Sequence, residues 1–234
     1  MEQIIEPVDK VLLENELTDD KFLRETNNGG NVLYTFTAHD SPNLMREIAR
    51  LRELSFRTAG GGTGKGMDID KYDTSENPYK QLIVWDPKDR EILGGYRYHT
   101  VDSSNGNEMN LSTTALFNFS EKFTAEYVPH LIELGRSFVQ PRYQSSKRRE
   151  KGLYALDNLW DGLGALVVSN PGVKYFFGKV TMYRNANRKG RDMLLYFMEK
   201  YFLDHDKLVT LKIPVPVEIN RDEMAAIFSG KDYK

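Results

Sequence analysis

Apolar and polar positions along this chain change period several times, and each change marks an element. Val8, Leu12 and Leu13 share one side of a short helix within residues 5–17. Residues 22–26 and 31–37 alternate apolar with polar, and Asn27-Asn28-Gly29-Gly30 separates them. Asn and Gly tolerate the positive φ of a tight turn, so this is a hairpin. Ser41 fits an N-cap and Pro42 the first helical position; Leu44, Ile48, Leu51 and Ser55 follow at helical spacing. Two strands, 81–85 and 92–101, flank a turn at Pro87-Lys88-Asp89. Residues 111–127 fit one or two short helices, and 131–140 is an apolar strand.

Further on, Leu153, Leu156, Leu159, Trp160, Leu163 and Val167 form a helical stripe that stops at Asn170-Pro171-Gly172. A strand over 175–182 and a helix marked by Met193, Leu194, Phe197, Met198 and Tyr201 come next. Residues 208–219 alternate, but Pro214 and Pro216 confine them to an edge strand or extended tail, and a short helix ends the chain. Neighbouring antiparallel strands alternate with helix crossovers, which predicts a layered α/β fold on a mixed sheet. No repeat, linker or break in composition appears. The expectation is one domain over 1–234, with an N-terminal helix and hairpin over about 1–38 and an extended tail over about 207–234.

Composition narrows the chemistry. The chain has 234 residues, a net charge of −2 and no cysteine. A near-neutral chain is not generally devoted to nucleic acid. Lack of cysteine excludes disulfides, a thiolate nucleophile and cysteine-based zinc sites. No apolar run approaches the ~20 residues of a membrane span, and the acidic start does not have the layout of a secretion signal. A cytoplasmic protein is expected.

The stretch 131–143, LIELGRSFVQPRY, carries the most unusual pattern. A core strand holds opposite charges when they are paired, read a ligand, or both. Glu133 and Arg136 should face opposite sides of a regular strand. Gly135 permits a β-bulge, which would slip the register and bring both to one face. A basic run follows: Arg142, Lys147, Arg148, Arg149 and Lys151. On strand 92–101, Arg97 fits either a solvent-facing edge or an anion receptor, and His99 shares its face without an assigned role. The glycine run 60–66 is no phosphate loop: the upstream glycine is missing, Gly66 replaces Ser or Thr, and a helix precedes it. A mobile loop is expected there. Asp68, Asp70 and Asp73 follow it out of register with a calcium loop, so a solvated acidic turn is expected and no metal.

Five stretches occur together: Arg52 with Phe56 (R-x-x-x-F), Asp68-Asp70-Asp73 (D-x-D-x-x-D), Gly94 to Arg97 (G-G-Y-R), Glu133 to Ser137 (E-L-G-R-S) and Leu159 to Gly162 (L-W-x-G). In order and spacing, over roughly residues 30–203, the set resembles the acyl-carrier-protein-dependent branch of the GNAT superfamily. The ornithine-lipid and glycine-lipid N-acyltransferases, once called hemolysin-like, are most similar. The acyl-homoserine-lactone synthases, with a similar E-x-x-R strand, are more distant. The resemblance implies a GNAT fold: a mixed central sheet with flanking helices, whose fourth and fifth strands, here 131–140 and 175–182, splay to admit a pantetheine thioester. The glycine-bearing pyrophosphate loop of ordinary GNAT enzymes is replaced by QPRYQSSKRREKG. That is a poor amide nest and a good cationic patch for an acidic carrier protein.

The implied reaction moves a 3-hydroxy fatty acyl group from acyl carrier protein to the α-amine of glycine or ornithine. The rivals are an acetyl-CoA-dependent N-acetyltransferase and a non-catalytic carrier-binding module. The co-substrate is a phosphopantetheine thioester on acyl carrier protein, or acyl-CoA, with no resident cofactor. The partners are acyl carrier protein and a small amino acid, without nucleic acid; a lipid product is compatible with peripheral contact at the inner membrane. Glu133 fits a general base or an ion-pair partner of Arg136. Arg136 and Arg97 fit a bidentate grip on the acceptor carboxylate. Arg52, Phe56, Asp70 and Asp73 shape the acceptor side. Backbone at Ser137, Phe138 and Val139 meets the donor and the oxyanion. Phe138, Trp160, Phe176 and Phe177 line an apolar slot, and Tyr183 is a candidate to protonate the leaving thiolate.

Overall fold

The computed structural model describes residues 1–101, 109–144, 149–183 and 186–233. Two compact units make up the chain, Met1–Asp102 with His130–Lys179, and Ser103–Pro129 with Val180–Lys234. No shift in composition marks their boundary.

The first unit holds a six-stranded sheet, in the spatial order Phe22–Glu25, Val32–Phe36, Lys80–Asp86, Glu91–Thr100, Leu131–Val139 and Tyr175–Gly178. Strands β1 (Phe22–Glu25) and β2 (Val32–Phe36) form the expected hairpin. Gly29 and Gly30 supply its positive φ. Strands β3 (Lys80–Asp86) and β4 (Glu91–Thr100) continue the antiparallel ladder, and β6 (Leu131–Val139) pairs antiparallel with β4. Strand β7 (Tyr175–Gly178) then joins β6 in parallel, which makes the sheet mixed as expected. It is shorter than the strand expected over 175–182.

Helices cover both faces. Helix α1 (Lys10–Glu16) precedes the hairpin, and α2 (Pro42–Thr58) buries Leu44, Ile48 and Leu51 against Phe36, Ile83, Trp85 and Phe138. Ser41 precedes α2 but makes no side-chain cap. The Glu16 carboxylate caps it instead, accepting from the backbone N–H groups of Asn43 at 3.0 Å and Leu44 at 2.8 Å. A carboxylate at that end also suits the helix dipole. On the opposite face, α4 (Arg149–Ser169) buries Ala155, Leu159, Leu163 and Leu166 on Leu33, Leu82, Val84 and Ile132. The apolar stripe is therefore wider than the buried face. Leu153, Leu156, Trp160 and Val167 stand on its exposed side.

The second unit pairs β5 (Phe117–Phe119) with β8 (Val209–Leu211). The π-helical turn Phe123–Tyr127 and short 3-10 turns account for the ambiguity of 111–127. Helix α5 (Arg188–Tyr201) packs Phe197 on Phe228, which follows α6 (Arg221–Ile227), with rings 5.6 Å apart. Residues 212–220, which include Pro214 and Pro216, join no further ladder among the described residues.

Candidate active site

Strand β6 is bulged where the sequence allows it, but the unusual backbone falls one residue later. Gly95 pairs with Phe138 and Arg97 with Gly135, so Arg136 and Ser137 together oppose Tyr96. Arg136, not Gly135, takes the left-handed conformation, with φ 51°. A non-glycine residue there is strained and needs its side chain held. The β6–β7 ladder ends at Leu134↔Gly178, just before the bulge. Beyond Leu134, β6 is therefore paired on the β4 side alone among the described residues.

Register places the reactive groups on one face. Glu133 stands opposite His99 on one side and Phe177 on the other, and Arg97 stands opposite Gln81. This is the face that α2 covers. Glu133 is 1 % exposed and accepts a short hydrogen bond from the Tyr79 hydroxyl. The Tyr79 ring stacks on His99 at 4.5 Å, and the Arg97 guanidinium lies over the same ring at 5.2 Å. Burial lowers the pKa of His99 against the opposing pull of Glu133, which favours a neutral ring.

Beside this pair, Arg52, Arg97 and Arg136 face Asp68, Asp70 and Asp73 in a closed network. Arg52 is fully buried; it donates to Asp73 Oδ1 at 3.1 Å and closely to Gln81. Arg97 donates to Asp70 Oδ1 at 2.7 Å and Asp73 Oδ2 at 3.2 Å. Arg136 reaches Asp70 Oδ2 at 3.1 Å, and its Nε lies 2.8 Å from Asp68 Oδ2. That last contact is ionic but poorly aligned, since neither Nε nor the Asp68 oxygens complete a hydrogen bond. Accordingly burial raises the Asp68 pKa despite Arg136 and Arg52. Burial also weighs against the charge of Arg97, but Asp73 and Asp70 more than offset it.

These placements revise several expectations. Arg97 is buried, not a solvent-facing edge. The aspartates form no solvated turn: Asp70 and Asp73 close a capping box on α3 (Lys71–Thr74) while binding arginines. The guanidinium of Arg136 turns to Asp68 and Asp70 rather than to Glu133. Phe56 packs at the margin of the α2 core. Ser137 is exposed, Val139 half-buried, and Phe138 a core residue. Trp160 is 65 % exposed on the outer side of α4, against the opposite face of the sheet from Glu133. Phe176 is exposed and Phe177 half-buried on β7. Tyr183 belongs to the second unit. Of the basic run, Arg142 pairs with Glu91 at 2.8 Å, and Lys151 lies 2.7 Å from both Asp86 and Asp89. Lys147, Arg148 and the side chain of Arg149 lie outside the described residues. Sequence reasoning missed Tyr79, which sits just ahead of β3 without a motif around it.

The glycine run is pinned where mobility was expected. The buried Glu53 carboxylate accepts from the Thr63 N–H at 2.8 Å, the Thr63 hydroxyl at 2.7 Å, the Gly64 N–H at 2.9 Å and Arg57 at 2.8 Å. A carboxylate thus fills the amide nest that a phosphate would need. Gly62 and Gly64 have φ of 88° and 78°, which explains the glycines without a ligand. The N-terminal segment lies along the loop, with the Glu2 N–H donating to Gly64 O at 2.8 Å. Glu53→Gln removes a charged acceptor from several donors at once. Amide exchange at Thr63 and Gly64 should then accelerate about 10- to 100-fold, read by hydrogen–deuterium exchange.

Among the described residues no helix is long and apolar enough to cross a membrane. A family model described as an acetyltransferase (GNAT) domain matches residues 51–152, from within α2 to the start of α4. Relatives cover the rest. A glycine N(alpha)-acyltransferase of Phocaeicola vulgatus is 55% identical over 237 residues, spanning 100% of this chain and 73% of its own length. Another protein of that name, from Bacteroides thetaiotaomicron, is 55% identical over 237 residues, spanning 100% of this chain and 70% of its own. The bulged β6, its interrupted pairing with β7, and these similarities agree: the chain belongs to the GNAT superfamily of N-acyltransferases.

Proposed function

We propose that this enzyme transfers a fatty acyl group, 3-hydroxylated by preference, from the pantetheine thioester of acyl carrier protein to the α-amine of an amino acid. Glycine is the first choice of acceptor, because the relatives at 55% identity carry that name. Ornithine is the second. The observation that carries the reading is the part of β6 past Leu134, without a β7 partner among the described residues, with Glu133 just ahead of it. An extended thioester arm fits such a backbone edge, and backbone N–H groups near Ser137 and Phe138 are suited to the anionic carbonyl oxygen.

In this reading the amine nitrogen attacks the thioester carbonyl carbon, and the carbon–sulfur bond breaks. Glu133, oriented by Tyr79, takes the amine proton directly or through water, and the proton finally returns to the departing thiolate. No acyl-enzyme is needed. Phe177, across the ladder from Glu133, suits the first carbons of the acyl chain. Carrier docking would fall to Lys147, Arg148 and Arg149, since Arg142 and Lys151 already have acidic neighbours.

The test is direct. Purified protein is incubated with 3-hydroxyacyl carrier protein, or with acyl-CoA of matched length and acetyl-CoA, and with glycine or ornithine. Mass spectrometry should find an N-acyl amino acid fastest with the carrier-bound donor. Transfer from acetyl-CoA alone would replace the donor assignment. Absence of product from every pairing would remove the enzymatic reading.

A further inference from the structure

Lys179 follows β7 immediately, one residue past the last β6–β7 pair, Leu134↔Gly178. Glu133 and Phe177 are opposite in that ladder, so the alternation of β7, carried one residue past its end, assigns Lys179 to the face of Glu133, and the charges of Arg136, Arg97 and Glu133 all act on it. Every guanidinium of the neighbouring cluster is already engaged: Arg52 by Asp73, Arg97 by Asp70 and Asp73, Arg136 by Asp68 and Asp70. Lys179 is exposed and forms no ion pair among the described residues. Although the residue as a whole is exposed, partial cover of its ammonium, then the charges of Arg136 and Arg97, lower its pKa, and Glu133 pulls the other way. It is a cation crowded by cations, beside a carboxylate proposed to take a proton from the substrate.

We propose that Lys179 is the receptor for the carboxylate of the amino-acid acceptor. This rests on the acceptor class proposed above and moves the carboxylate grip from the arginines, which the aspartates already pair, to a lysine that forms no ion pair among the described residues. An α-amino acid carries its carboxylate one carbon from its amine. A ligand anchored at Lys179 therefore keeps its amine on the face where Glu133 lies.

The experiment separates binding from turnover. Glycine, ornithine and glycinamide are titrated calorimetrically into wild type, Lys179→Met and Lys179→Arg without any acyl donor, and thermal melts check that each variant is folded. The first two amino acids should bind Lys179→Met about 10- to 100-fold more weakly than wild type. Glycinamide, which has no carboxylate, should bind wild type and Lys179→Met alike. Lys179→Arg should recover part of the loss. With donor added, the loss should appear in the KM for glycine, with kcat little changed. Equal affinity of glycine for wild type and a folded Lys179→Met overturns the assignment, as does failure of either amino acid to bind the wild type. Lys179-dependent binding without transfer from any donor keeps the receptor and sinks the acyltransferase reading.

Discussion

Glu133→Gln is expected to lower kcat for N-acyl transfer by about 10²- to 10⁴-fold, the usual span for loss of a general base, with each KM within a few-fold of wild type. The substitution keeps the shape of the side chain and keeps an oxygen to accept from Tyr79. It removes the negative charge and with it the capacity to take a proton. Glu133 is buried between the His99 and Phe177 positions of the ladder. Tyr79→Phe is the companion variant. It keeps the ring that stacks on His99 and lies beside Arg97, and loses only the hydroxyl that orients Glu133. Its kcat should fall about tenfold, the equivalent of ~1.4 kcal/mol, near the net worth of one hydrogen bond. Steady-state kinetics with a saturating carrier-bound donor reads both. Undiminished transfer by Glu133→Gln would return this residue to a purely structural role.

What could be read from the chain and what could not divides along sequence distance. The β1–β2 hairpin was legible because Asn27 to Gly30 states its own turn within four residues. The bulge was legible to within one residue, from a glycine inside an apolar strand. Its centre at Arg136 was not, because a left-handed arginine is tolerated only when Asp68 and Asp70, far upstream, hold its side chain. The same distance hid the burial of Arg97, whose partners lie 24 and 27 residues away. Local pattern also misplaced Trp160. Apolar residues on α4 cover more than one face, and periodicity alone does not say which edge of a wide stripe the sheet covers. The cap of α2 passed to Glu16, a residue with no local relation to Ser41. The site residues themselves came from motif order. Their partnerships came only from the fold.

Asp73→Asn should cost about 3–5 kcal/mol of unfolding free energy, the range found when one partner of a buried ion pair is removed. Asp73 is fully buried between Arg52 and Arg97, accepts from both, and also accepts the Asp70 N–H. Removing its charge leaves Arg52, with no exposed surface, facing Arg97 across a neutral amide. Arg52→Gln combined with Asp73→Asn should restore part of the loss, because the uncompensated charge goes with its partner; a coupling of about 1–3 kcal/mol is expected. Acidity provides an independent reading. Burial pushes Asp73 toward protonation, but Arg52 and Arg97 prevail and hold its carboxyl below the usual carboxylate range. A folded-state pKa below the unfolded one means stability that is fully present above about pH 4 and is lost as pH falls toward the folded value. Urea unfolding between pH 7 and pH 3 should therefore show a steeper acid loss for wild type than for Asp73→Asn. Parallel slopes, or a single-variant cost below about 1 kcal/mol, would mean that the cluster tolerates a missing carboxylate and that its charges are not what holds α3 against the sheet.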